Sequence, residues 1–357
     1  MRIVDHFTRL LPDGRLLCEV CPRACKLNPG QRGLCYVRQN VDGHMALTTD
    51  GLSSGFCVDP IEKKPLYHFL PGSSILSFGT AGCNLACAFC QNHEISKSRE
   101  VETSARRAPP QAVARAAKRL GCASVAFTYN DPVIFYEYAV DVAEACRAEG
   151  IQSVAVTAGY VNKGPREEFF RAVDAANVDL KGFTDDFYRR NAAGRLEPVL
   201  DALRYLKRET EVWLEITTLL IPGENDSEAE IDALTRWVNA ELGAETPLHF
   251  TAFHPDYRML DKPPTPKATL DRARHIGLLN GLKHVYVGNV RDPQRETTFC
   301  AVCGTALIRR DSYAILGYAL SAEGGCPTCG AALAGRFAAR AGTWGRRRLP
   351  IDIEAFA

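Results

Sequence analysis

Between residues 75 and about 290 the chain alternates short apolar, β-branched runs with longer stretches of helical periodicity, a pattern that few folds accept. The runs are ILSFGT, SVAFTY, SVAVTA, NVDLKG, VWLEITTLL, PLHFTAF and HVYVGNV. Between them lie stretches such as PQAVARAAKRLG, LEPVLDALRYLKRE and SEAEIDALTRWVNAEL, several opening on Pro or a Ser/Asp cap and closing at Gly, as helices do. Strands without polar alternation are buried on both faces, which is the mark of a parallel sheet under helices. The expectation is an α/β fold: a partial (β/α)6-type TIM-like barrel of parallel strands. In barrels chemistry gathers at the C-terminal strand ends. Those ends read GTAGC, TYNDP, TAGY, DLKGF, IPGEND, FHPDY and GNVRD, polar stretches that ordinary turn chemistry would also supply.

Composition narrows the partners. Of 357 residues 46% are hydrophobic, and 43 basic against 42 acidic side chains leave a net charge of +1, so no overall field draws in nucleic acid or an anionic membrane. A local patch such as Arg346, Arg347 and Arg348 remains. No run of 18 apolar residues occurs, and MRIVDHFTRLLPDGR lacks the apolar core of a secretion signal. Fourteen cysteines at metal-ligand spacings then suggest a reducing, cytoplasmic protein with no membrane partner, in place of a secreted disulfide scaffold.

Eleven of those cysteines fall into three zones, which suggest three units: a Cys-rich metal-binding segment (1–72), the barrel (73–293) and a zinc-ribbon-like module (294–357). A polar stretch, DPIEKKPLYHFLPG, leads from the first into the second. Cys300, Cys303, Cys326 and Cys329 form CxxC-x22-CxxC with glycine after each pair, four soft ligands suited to structural zinc or, less so, a rubredoxin-like iron. Cys18, Cys21, Cys25 and Cys35 are irregularly spaced, and zinc or a second iron–sulfur cluster both satisfy them, with a slight preference for zinc.

The middle zone stops at three: Cys83, Cys87 and Cys90 in GTAGCNLACAFCQNHE, at the end of the first strand. Their spacing would also line one face of a helix. Three thiolates on a 4Fe-4S cluster leave one iron open for a reactant, unless His93 closes it as a fourth ligand.

CNLACAFC resembles the radical S-adenosylmethionine (SAM) enzymes. That resemblance implies a 4Fe-4S cluster whose open iron chelates SAM, reductive cleavage to methionine and a 5'-deoxyadenosyl radical, and hydrogen abstraction from a substrate. It assigns Cys83, Cys87 and Cys90 to the cluster and the backbone of Phe89 to adenine. TYNDP stands where relatives carry a Gly-Gly-Glu-like stretch, so Asp131, with Asn130 beside it, takes the ammonium of SAM. VDLKGF is similar to an Asp-x-Lys stretch of pyruvate formate-lyase activating enzymes, which implies Asp179 for ribose or amine and Lys181 for carboxylate. His254 of AFHP follows the same resemblance, with Thr157 and Asn289 as weaker candidates.

The order CEVCPRACKLNPGQRGLCYVRQN, DPIEKKPLYHFLPG, SFGTAGCNLACAFCQNHEIS, TYNDP and a C-terminal ribbon resembles the AmmeMemoRadiSam-system radical SAM enzymes, relatives of those activating enzymes, over nearly the whole chain. It implies a radical SAM oxidoreductase or glycyl-radical-activase-like enzyme, a reductant such as flavodoxin or ferredoxin, and AMMECR1-type and Memo-type partners. The substrate stays open between a protein glycine, an RNA and a small molecule. The contrasting reading is a zinc-ribbon nucleic-acid-binding protein with an inactive barrel, built on LIRRDSY and GRFAARAGTWGRRR. Near-neutral charge weighs against it.

Overall fold

The computed structural model describes residues 1–99 and 106–356. An antiparallel strand, β1 (Phe56–Pro60), leads into β2 (Ser74–Phe78), β3 (Ser124–Phe127), β4 (Gln152–Thr157), β5 (Ala175–Asp179), β6 (Trp213–Leu220), β7 (Leu248–Ala252) and β8 (Val285–Gly288), which run parallel. Helices α1 (Pro110–Arg119), α2 (Tyr136–Ala148), α3 (Lys163–Ala172), α4 (Glu197–Glu209), α5 (Glu228–Leu242) and α6 (Lys267–Leu279) follow β2 to β7 in turn. Six βα units and one further strand therefore make the expected partial barrel. Among the described residues the sheet stays open: its order runs from β8 back to β1 and ends on the antiparallel β9 (Leu349–Ile351).

Strand alternation separates two cores. Leu76, Phe78, Val125, Phe127 and Val178 face the helices, while Ile75, Ala126, Val154 and Ala175 point inward. Helix ends follow local chemistry. Ser227 caps α5 by accepting from the Glu230 N–H at 3.3 Å, and Gly243, at φ +87°, ends it.

The inner face is filled by the segment that reads as a polar lead-in. Ile61, Leu66 and Phe69 are fully buried against Ile75, Ala126, Val154 and Ala175, each contributing on the order of 2 kcal/mol of burial. Asp59, Glu62 and Lys64 are buried there too, and Lys63 is half-buried. Lys63 and Lys64 donate to Asp59, each at 2.8 Å. Glu215 of β6 accepts from the Tyr67 N–H at 2.9 Å, the His68 N–H at 2.7 Å and the Trp213 indole at 3.0 Å, with His249 Nε2 at 2.6 Å. Arg310 donates to the Tyr67 carbonyl at 2.6 Å from the C-terminal side. Residues 59–70 thus plug the barrel, and hydrophobicity along the sequence did not reveal it.

The sheet crosses both boundaries drawn from the sequence, since β1 precedes residue 73 and β9 follows residue 293. Two small three-stranded sheets precede β1, and a hairpin of Ala306–Asp311 and Ala314–Tyr318 carries the C-terminal cysteine turns. Among the described residues, no helix is long and apolar enough to cross a membrane.

Candidate functional site

A cleft of about 660 Å³ opens at the C-terminal ends of the strands. One wall is the loop after β2, which needs glycine twice. A Cβ on Gly79 would lie 2.3 Å from the Thr128 carbonyl oxygen, and one on Gly82, at φ +84°, would lie 1.9 Å from the Cys35 carbonyl oxygen. Backbone bonds then brace the loop: the Ala86 and Ala88 N–H groups donate to the carbonyls of Ala192 and Asn191 at 3.0 and 2.8 Å. Cys83, Cys87 and Cys90 all line the cleft from this loop. Burial pushes the Cys83 thiol up and the Cys87 thiol up to about 12.

His93 takes no part in the lining. Its ring stacks on Tyr257, centroids 4.9 Å apart, with Nδ1 toward Asp256 at 3.4 Å. Ser96 Oγ lies 3.1 Å from Cys90 Sγ, a neighbour that the spacing of the cysteines does not signal.

The other sequence candidates reach the same cleft from five strand ends and the cysteine loop: Phe89, Asn130, Asp131, Thr157, Asp179, Lys181, His254 and Asn289 all line it. The Asn130 amide is spent on the cysteine loop, donating to the Gly82 carbonyl at 2.8 Å and accepting from the Thr80 N–H at 3.2 Å. Asp131 is buried, which raises its carboxyl, and the N–H groups of Val133 and Ala158 with the Thr157 hydroxyl oppose that rise at 3.1, 3.0 and 2.9 Å. Thr157 is thereby a partner of Asp131. Lys181 donates to Asp179 at 2.8 Å; burial alone would lower its ammonium, but Asp179 holds it above the usual range. His254 is more than half exposed at the rim, its Nδ1 3.1 Å from the Gln91 amide.

Cationic side chains line the cleft as well: Lys63, Lys64 and Arg348, with Pro65, Tyr313 and Tyr129, whose hydroxyl donates to Asp59 at 3.1 Å. Lys63, Lys64 and Pro65 come from DPIEKKP, a stretch whose pairing of lysines with Asp59 only the fold reveals.

The outer cysteines differ in spacing. Cys300 Sγ lies 3.6 Å from Cys329 Sγ, and Cys303 Sγ 3.6 Å from Cys326 Sγ. Metal–sulfur bonds of about 2.3 Å in a tetrahedron put sulfurs about 3.8 Å apart, which these pairs match. Among the described residues this is the one group of three or more His, Cys, Asp or Glu ligand atoms all within 4.8 Å of one another. Cys18, Cys21, Cys25 and Cys35 line a separate small cavity.

The profile of the Radical SAM superfamily matches residues 78–234. An uncharacterized protein of Methanocaldococcus jannaschii is 40% identical over 304 residues, 85% of this chain and 90% of that one. The pyruvate formate-lyase 1-activating enzyme of Escherichia coli K12 is 23% identical over 58% of this chain and 89% of its own. The chain belongs to the radical SAM superfamily. Among solved structures, a radical SAM methyltransferase from Sphaerobacter thermophilus is similar at a TM-score of 0.48 and 18% identity, covering 62% of this chain and 67% of that one.

Radical SAM membership implies a 4Fe-4S cluster and SAM, and the donor chemistry here fits both. Three thiols, one buried and two half-buried, line the cleft together, and both acidic and cationic side chains share it.

Proposed function

We propose that this chain is an enzyme that cleaves SAM reductively and passes the resulting radical to a substrate held in the cleft that the cysteine loop and the cationic side chains line. When bound, the cluster and SAM supply an electron and a sulfonium whose cleavage gives methionine and the 5'-deoxyadenosyl radical. The chain's own residues hold and orient. Cys83, Cys87 and Cys90 would hold the cluster through their thiolates, with no fourth protein ligand, so that it could also bind SAM. Asp131, kept in one orientation by three donors, offers its remaining lone pair to an ammonium, and Asp179 offers a second acceptor. Lys181 offers the cation for a carboxylate. Asn130 positions the cluster loop, and Phe89 and His254 border the nucleoside.

One observation carries this reading: the cysteine triad and every strand-end candidate chosen from sequence line one cleft. The substrate end carries Lys63, Lys64 and Arg348 against the single carboxylate of Asp59, so it suits a hydrogen donor bearing an anionic group. A low-potential flavodoxin or ferredoxin would supply the electron, as for the activating enzymes.

Anaerobic reconstitution with iron and sulfide, followed by dithionite and SAM, should yield 5'-deoxyadenosine. The Cys83→Ala/Cys87→Ala/Cys90→Ala variant should yield none, and an undiminished yield from it would end the proposal. No cleavage in either protein, together with RNA binding that falls steeply with salt, would favour a nucleic-acid-binding ribbon on an inert barrel.

A further inference from the structure

We infer that Cys18, Cys21, Cys25 and Cys35 hold a second 4Fe-4S cluster beside the catalytic one, in place of zinc. Cys18 ends the strand Leu16–Cys18, and its N–H donates to the Cys25 carbonyl at 2.9 Å, which turns the CEVCPRAC segment back on itself. Cys35 arrives from the far side. All four line one cavity, walled elsewhere by Val20, Val133 and Ile134.

Spacing decides the metal. Zinc draws four sulfurs to one point, about 3.8 Å apart, as the C-terminal group already stands. The N-terminal sulfurs do not all lie within 4.8 Å of one another. A cubane binds each thiolate through a different iron at its own corner, so its ligands stand wider around a central volume. Gly33 borders that volume: a Cβ there would sit in van der Waals contact with Cys25 Sγ at 3.6 Å and Cys35 Sγ at 3.7 Å.

The charge around the cavity suits an anionic cluster. Four thiolates leave a cubane net negative, and two guanidinium groups meet it. Arg38, 2% exposed, pairs with Glu137 at 3.0 and 2.6 Å and lines the cavity. Arg23 donates through Nε to the Asn84 carbonyl at 2.8 Å, while its Nη2 is buried with no protein partner. An unspent N–H donor at the edge of a sulfur-lined cavity is what a cluster sulfide accepts from.

Position gives the second cluster its role, a step that rests on the proposed SAM chemistry. Asn84 lines this cavity, and its neighbours Cys83 and Leu85 line the cleft. Gly82 packs directly on the Cys35 carbonyl. One electron from a low-potential protein reductant reduces the N-terminal cluster, and the same electron then passes to the catalytic cluster, reoxidising the first.

The test is metal content and spectroscopy on the full chain. The anaerobically reconstituted protein should hold about eight irons and one zinc, and the Cys83→Ala/Cys87→Ala/Cys90→Ala variant about four irons. Dithionite should give that variant a paramagnetic signal that SAM leaves unchanged. Cys21→Ala/Cys25→Ala should drop the protein to about four irons with its zinc intact. About four irons with two zincs in the unaltered chain, or no iron in the triple variant, would overturn the inference. A chain with about eight irons that makes no 5'-deoxyadenosine would support the second cluster while sinking the proposed reaction.

Discussion

Replacing Glu215 by Gln tests how the barrel is plugged. Burial by itself would raise this carboxyl, but His249 and the backbone N–H groups of the plug hold it at about 2 against 4.5 for a free side chain. Each unit is worth about 1.36 kcal/mol, so the ionised form gains about 3 kcal/mol from the fold. The sign follows from the lowered value: this stability is fully present above pH ~4.5 and is lost as pH falls towards ~2, so at pH 7 all of it is at stake. An unfolding entropy of about 2.1 cal/mol/K per residue over 357 residues is about 0.75 kcal/mol/K, which converts the loss into about 4 °C of Tm. Glutamine fills the same space but turns an NH2 towards donors already committed to Glu215. Anaerobic thermal unfolding at pH 7, followed by circular dichroism, measures the shift. A change below about 1 °C would refute the claim that the charged carboxylate anchors Tyr67 and His68.

Two further perturbations follow from the same coordinates. Gly82→Ala places a Cβ 1.9 Å from the Cys35 carbonyl oxygen on a backbone at φ +84°; it should cost about 3 kcal/mol or more and lower iron uptake, and full iron loading would contradict the contact between the two cysteine loops. Glu62 is pushed by burial up to about 7, against the opposing charge of Arg310, so the folded chain keeps a proton that the unfolded chain releases near 4.5. Stability should therefore fall as pH rises through that window, by about 3 kcal/mol, and Glu62→Gln should flatten urea midpoints measured at pH 5 and pH 7; unchanged steepness would count against a buried, protonated Glu62.

Local pattern carried much of this molecule. The seven apolar runs are strands because nothing else buries both faces of so short a segment, and six intervening stretches are helices for the reasons their Pro, Ser and Gly ends suggest. Strand ends face one mouth in a parallel barrel, so the strand-end stretches were legible as a set, and the resemblance to activating enzymes picked Asp131, Asp179, Lys181 and His254 from them. The triad's odd count of thiols was legible too, because coordination chemistry is local.

What required the tertiary structure is everything set by distance across the chain. Asp59, Glu62 and Lys64 read as solvated groups, and only the fold around them shows that all three are buried and that Lys64 pairs with Asp59. Asn130 lines the cleft beside Asp131, and only the fold shows that its amide also braces the cysteine loop through Gly82 and Thr80. Above all, two four-cysteine groups offer the same ligands on paper. Spacing in three dimensions separates them: sulfurs 3.6 Å apart would suit a single ion, whereas the N-terminal four line a cavity. Sequence determines which donors a chain owns; the fold decides how far apart they stand, and coordination geometry turns that distance into the choice of metal.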